Sequence, residues 1–229
     1  CAMCNIWQGE KQPEMDLAQF EQVLADPVFS GMERLMISGG ESTLRADLHE
    51  LVRLCFSRMP ALRTVSMITN GLWPERAIQA CEQVARLSAE RGVSLSLSVS
   101  LDGLEETHNR MRNIPDAFKR TIATLDGLQA MVKSYRFYLG VGTVICHWNL
   151  HEMEAFQDWC ARRGLTPSFQ LVGFHDTYVD NMEQQSELGF RPEDLPTLYA
   201  LLESLASRRS LRNWMAFYWN DMLHMYRDG

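Results

Sequence analysis

Two of the six cysteines, Cys1 and Cys4, form a Cys-x-x-Cys pair, while Cys55, Cys81, Cys146 and Cys160 stand singly among apolar neighbours. Paired thiolates at this spacing hold zinc, hold part of an iron–sulfur cluster, or carry out thiol–disulfide exchange. A closed zinc site takes four ligands, and no second close Cys/His pair follows downstream. A thioredoxin-type pair opens a helix. Here Asn5-Ile-Trp7-Gln-Gly9 follows instead, and the next helical pattern begins near Glu14. On spacing alone all three chemistries stay open.

Three further groups combine glycine with hydroxyl, amide or carboxylate side chains: Gly39-Gly40-Glu41-Ser42, Thr69-Asn70-Gly71, and Ser98-Val-Ser100-Leu-Asp102-Gly103. Glycine lets backbone approach a ligand closely. A carboxylate beside two glycines accepts hydrogen bonds from an ammonium group, and hydroxyls suit a ribose. Singly these are turn sequences, Asn-Gly above all. Their value lies in where they fall.

Each falls at the end of an apolar, strand-like run. The spacing predicts strands over 34–38, 64–69, 93–100, 136–145 and 168–172. Between them lie helical patterns, such as Leu48, Leu51, Val52 and Cys55 at i, i+3, i+4 and i+7. Pro74 opens a helix that Gly92 closes. A polar loop after Asp102 leads to a helix carrying Phe118, Ile122 and Leu125. Asn149 and Glu152 read as a capping box for a helix through Cys160. A long polar loop covers 175–192, and two helices follow, the second beginning near Arg212. Its aromatics, Trp214, Phe217, Tyr218 and Trp219, read as packing residues. Alternation of strand and helix about every 30 residues implies a parallel α/β sheet with right-handed crossovers. A doubly wound sheet and an open barrel both fit it. In either, ligands gather at the C-terminal strand ends, where the three groups lie.

The chain has 229 residues, a formal net charge of −7, 46% hydrophobic and 22% charged residues. The charge disfavours a nucleic-acid partner, which demands clustered Lys and Arg. No apolar run reaches the roughly 20 residues that span a bilayer, and no signal segment is visible, so a cytoplasmic protein without a membrane partner is expected. His147, His151 and His175 fall near strand ends without forming a recognisable catalytic set. No residue stands out as the acid or base of a reaction.

Cys1-Ala-Met-Cys4-Asn-Ile-Trp7 resembles the end of the Cys-x3-Cys-x2-Cys motif of the radical S-adenosylmethionine superfamily. Ile37-Ser-Gly-Gly-Glu41 resembles its Gly-Gly-Glu-Pro motif, with Ser42 at the proline position. Ile68-Thr-Asn-Gly71 and Ser98-Val-Ser-Leu-Asp-Gly103 resemble its next strand ends. Asp102-Gly103 followed by His108-Asn109-Arg110-Met111-Arg112 resembles the branch with SPASM or twitch extensions.

The resemblance implies a partial (β/α)6 TIM-like barrel of parallel strands over 1–210. It implies a [4Fe–4S] cluster and S-adenosyl-L-methionine as cofactors. Cys1 and Cys4 would be cluster ligands, with the first cysteine of the motif four residues upstream of Cys1. Gly39, Gly40 and Glu41 would bind the methionine amino group. Thr69, Asn70, Ser98, Ser100 and Asp102 would lie near the ribose or carboxylate, with Arg112 as a carboxylate partner. Met3 and Val144 would border the adenine. Reductive cleavage would give a 5′-deoxyadenosyl radical that abstracts hydrogen from a peptide, protein or small-metabolite substrate. The electron would come from a donor such as flavodoxin or ferredoxin. Residues 211–229 would form a helical linker towards a C-terminal extension. A cluster-less barrel acting as a binding module, and a zinc or thiol-redox protein, are the alternative readings.

Overall fold

The computed structural model describes residues 1–6, 8–9, 13–177, 179–207 and 215–228. Helix α1 (Leu17–Leu24) is set by Asp16 and Gln19, which cap each other's backbone N–H. Strand β1 (Arg34–Ile37) precedes α2 (Leu48–Arg58), and β2 (Thr64–Thr69) precedes α3 (Pro74–Arg91). Gly92, with φ 64°, closes α3 as its position predicts. Strand β3 (Ser94–Ser100) leads into α4 (Glu105–Arg112) and α5 (Ala117–Tyr135), and β4 (Tyr138–Ile145) into α6 (Met153–Arg162). After β5 (Thr166–Leu171) come the single turn α7 (Gln185–Leu188), α8 (Leu195–Ser207) and α9 (Met215–Asp228).

All five strands are parallel and lie in the order β1-β2-β3-β4-β5. This order answers the question that periodicity left open. A doubly wound sheet reverses its strand order at a switch point; here every strand pairs with its successor, so the sheet winds in one sense as a partial barrel does. Alternation along the strands then sorts the side chains. Leu95, Leu97 and Val99 of β3 are buried beneath the helices with Val84, Leu125 and Leu128, while the serines between them face the other way. The four isolated cysteines are all buried thiols.

Three expectations change. The loop expected after Asp102 contains helix α4. Its sequence is polar and only His108 and Met111 are buried, so a hydrophobic stripe is nearly absent. Asn149 makes no helix-capping bond; its amide ties strand ends together instead. Among the C-terminal aromatics, Trp219 is buried edge-on to Tyr218, but Phe217 is 64% exposed. Trp214 and the expected boundary at 210–211 lie outside the described residues. None of the described helices is long and apolar enough to cross a membrane.

Candidate active site

The C-terminal strand ends are laced together in sequence order by single polar side chains. Glu41, on the turn after β1, spans to β2. Its Oε1 accepts from the Thr43 N–H at 3.2 Å, the Thr43 hydroxyl at 2.6 Å and the Thr69 hydroxyl at 2.8 Å, and its Oε2 accepts from the Asn70 N–H at 2.7 Å. A carboxylate offers about four acceptor sites, two on each oxygen. Three donors crowd Oε1 and one meets Oε2, so Oε2 is the less committed oxygen.

His108 links β2 to β3. Its Nδ1 accepts the Asp102 N–H at 3.0 Å, which assigns the ring proton to Nε2. That Nε2–H donates to the Thr121 hydroxyl at 3.2 Å, which donates to the Asn70 carbonyl at 3.2 Å. Burial, followed by the Arg112 guanidinium, pushes the His108 pKa down to about 3, so the imidazole is neutral. Asp102 and Asn149 link β3 to β4: Asp102 Oδ1 accepts the Val144 N–H at 3.0 Å. Asn149 Nδ2 donates to the carbonyls of Asp102 and Val144 at 2.6 and 2.8 Å.

The cysteine segment is clamped from two sides. The Ala2 N–H donates to the Met111 carbonyl at 2.9 Å. Asn181, on the loop after β5, is 1% exposed and donates from Nδ2 to the carbonyls of Met3 and Gly173 at 2.9 and 3.0 Å.

These links surround a cavity of about 700 Å³. Of the residues singled out in the sequence, Cys1, Cys4, Gly39, Gly40, Glu41, Asn70, Ser100 and Arg112 lie on its wall. Thr69 and Asp102 are buried behind it, at 3% and 1% exposure, orienting Glu41 and Arg112. Ser98 lies farther down β3, off the cavity wall. Met3 joins Met111, Cys146, Val172 and Leu188 in a small apolar cluster against which Val144 packs. Sequence reasoning passed over Asn181, which lies in an acidic loop with no local signal, and the apolar wall formed by Ile6, Ile68, Leu72, Trp73 and Ile114. Trp73, just after an Asn-Gly turn at a strand end, was the one legible sign of that wall. His147 and His151 instead flank buried Asp194 at 2.7 and 2.9 Å.

The wall suits the cofactors that the motifs imply. Burial raises the thiols of Cys81 and Cys160 to about 12 and Cys146 to about 11, which keeps them protonated. Cys1 and Cys4 are only partly buried and share the cavity. Among the described residues no third Cys, His, Asp or Glu completes a metal-ligating group with them. Gly39 has φ 135°, and a Cβ on Gly39 or Gly40 would meet only open space, so ligand atoms have access to that backbone. Arg112 meets Asp102 at 2.6 Å through Nη2, while its buried Nε has no hydrogen-bond partner. The Arg112 side chain borders the cavity, while this Nε lies within the wall.

The family model of the radical SAM superfamily matches residues 1–160. The chain belongs to the radical SAM superfamily. Its relatives include the AdoMet-dependent heme synthase of Methanosarcina barkeri, 35% identical over 158 residues, which are 67% of this chain and 41% of that protein. The sporulation killing factor maturation protein SkfB of Bacillus subtilis is 24% identical over 72% of this chain and 37% of its own length. The chain thus spans well under two thirds of these radical SAM relatives. The solved structure of anSMEcpe with bound AdoMet aligns with a TM-score of 0.62 at 16% identity, covering 89% of this chain and 56% of that one. That likeness shows the shared partial-barrel fold.

Proposed function

We propose that this chain is the cofactor-binding barrel of a radical enzyme that uses a [4Fe–4S] cluster and S-adenosylmethionine to abstract hydrogen from a peptide, protein or small-metabolite substrate. The observation that carries this reading is one cavity wall shared by Cys1, Cys4, Gly39, Gly40, Glu41 and Arg112. When bound, the cluster and S-adenosylmethionine supply reductive cleavage of the sulfonium C–S bond and so a 5′-deoxyadenosyl radical. The protein's part is binding, orientation and exclusion of water. Cys1 and Cys4 are the thiolates for two irons. Glu41, through its less committed Oε2, takes the methionine ammonium beside the accessible Gly39-Gly40 backbone. The Arg112 guanidinium, steadied by Asp102, pairs with the carboxylate. Asn70 and Ser100 offer polar groups to the ribose, and Met3 and Val144 form the apolar border for adenine.

Within the superfamily, the Asp102 to Arg112 stretch supports the SPASM or twitch branch, and SkfB, by its printed name a maturation protein, agrees with that assignment. An electron donor such as flavodoxin or ferredoxin would serve a reducing, cytoplasmic setting. Anaerobic reconstitution of the full-length protein with iron and sulfide, followed by dithionite and S-adenosylmethionine, tests the reading. Cluster absorbance and 5′-deoxyadenosine are expected in the wild type. Both should be lost in Cys1→Ala and Cys4→Ala. Their absence from wild type overturns it.

A further inference from the structure

The face of the sheet opposite the helices has an unusual lining. Ser94, Ser96, Ser98 and Ser100 are successive positions of β3 on this face, and none of the four is buried. Their neighbours across the sheet are small, polar or exposed apolar residues. Ser96 sits between Ser66 and Tyr138, Ser98 between Ile68 and Gly140, and Ser100 beside Gly142, which pairs with Ser168. A barrel interior closed for stability is packed with Val, Ile and Leu in layers. This one presents hydroxyls and glycines. No hydrogen bond to another described residue takes up the hydroxyls of Ser66, Ser94, Ser96, Ser98, Ser100 or Ser168.

The glycines keep that surface open. A Cβ at Gly142 would stand 3.2 Å from Ser98 Oγ, and one at Gly140 would stand 3.0 Å from the Tyr138 ring. Glycine therefore leaves room for the Ser98 hydroxyl beside Gly142 and for the Tyr138 ring beside Gly140. Exposed apolar groups flank the hydroxyl rows: Met36 is 67% exposed, Tyr138 54% and Ile68 40%. The surface runs without a break into the cavity, because Ile68 and Ser100 belong to both.

Charge and spacing limit what such a surface binds. Among the described residues of the five strands, the one charged side chain on this face is Arg34, in the row farthest from the cavity. A phosphate or nucleotide recognised here would need Lys or Arg clusters. Alternate residues of a strand lie about 6.6 Å apart, so Ser94, Ser96 and Ser98 set a row of donors and acceptors about 13 Å long at that repeat, ending where Ser100 meets the cofactor cavity. An extended peptide presents its same-side amides at the same repeat. From this match, and resting on the radical-enzyme reading for the chemistry itself, we infer that the serine face is the substrate floor and that the substrate is an extended, largely uncharged peptide segment with apolar side chains.

Valine and threonine are isosteric and both favour strands, which gives a matched test at residues outside the cofactor wall. The full-length protein, its Ser66→Thr/Ser96→Thr variant and its Ser66→Val/Ser96→Val variant are each mixed with uncharged, end-blocked hexapeptides or with GTP. Bound species are read by affinity selection and mass spectrometry, and reductive cleavage of S-adenosylmethionine by the reconstituted protein is measured alongside. The inference requires peptides to bind wild type and the Thr pair, binding to the Val pair to weaken about tenfold or more, as loss of two neutral hydrogen bonds implies, and GTP to show no saturable binding on this face. Equal peptide binding by the Val pair, or GTP alone binding there, overturns it. Should the Val pair fail to fold, Ser96→Cys reads the same contact: peptides must protect it from iodoacetamide, and unprotected labelling overturns the inference. Peptide binding without S-adenosylmethionine cleavage would defeat the radical reading and leave this one standing.

Discussion

Asn181 Nδ2 donates a 2.9 Å hydrogen bond to the carbonyl of Met3, 178 positions away in the sequence. The same amide meets the Gly173 carbonyl and accepts the His175 N–H at 2.9 Å, so one buried side chain fixes the segment between the two cysteines to the loop after β5. Asn181→Ala leaves these backbone groups without partners. We expect a loss of about 1–3 kcal/mol in unfolding free energy. We also expect amide exchange at residues 1–5 to rise more than exchange in β2 and β3. Exchange that rises evenly across the sheet would remove Asn181 as a local clamp.

Glu41 accepts four hydrogen bonds, and Asn70 N–H to Oε2 is the shortest of those from backbone, at 2.7 Å. Glu41→Gln places either an NH2 against the Asn70 N–H or an NH2 among the Thr43 and Thr69 donors. Neither amide orientation satisfies all four. Stability should fall by about 1–3 kcal/mol, and S-adenosylmethionine affinity should fall with it. Here the lost quantity is the carboxylate's charge, and calorimetric titration and chemical denaturation check the two effects separately. Unchanged values in both would mean that the carboxylate charge is not used.

Buried His108 has its pKa depressed to about 3, first by burial and then by Arg112. The sign follows from linkage: the unfolded chain binds a proton near pH 6.5 that the folded chain refuses until near pH 3. Stability from the neutral ring is complete above 6.5 and declines as pH falls from there towards 3. Denaturation midpoints across that window should drop more steeply for wild type than for His108→Gln. A ring proton on Nε2, seen through its nitrogen shifts, is the matching spectroscopic expectation. Parallel pH profiles for the two proteins would contradict the neutral assignment.

Much of this was legible in the sequence for a physical reason. Strand ends announce themselves because glycine, Asn-Gly and carboxylate residues interrupt apolar runs, and the cavity does sit where Gly39, Asn70 and Ser100 fall. The sense of winding was not legible, since periodicity carries no information about which strand pairs with which. Helix α4 was hidden because it buries only His108 and Met111. Asn149 looked like a cap because capping and cross-strand bonding ask for the same amide; only its bonds to Asp102 and Val144 distinguish them. Asn181 depends on a contact between the two ends of the described barrel, which no local pattern encodes.

Arg112 Nη2 lies 2.6 Å from Asp102 Oδ2, with the carboxylate 1% and the guanidinium 12% exposed. Removing one member of such a pair strands the other as a buried charge, at a cost of about 3–5 kcal/mol. Arg112→Met should show that loss, and the double variant Arg112→Met/Asp102→Asn should recover part of it, since the stranded charge is gone. Asp102 Oδ1 also accepts the Val144 N–H, so recovery stops short of wild type. Cofactor binding separates the two residues. If Asp102 acts only by steadying Arg112, then Arg112→Lys, which keeps a cation but loses the planar fork, should restore most of the stability and little of the S-adenosylmethionine affinity. Equal restoration of both would show that a point charge suffices at this position and that the planar fork is not used.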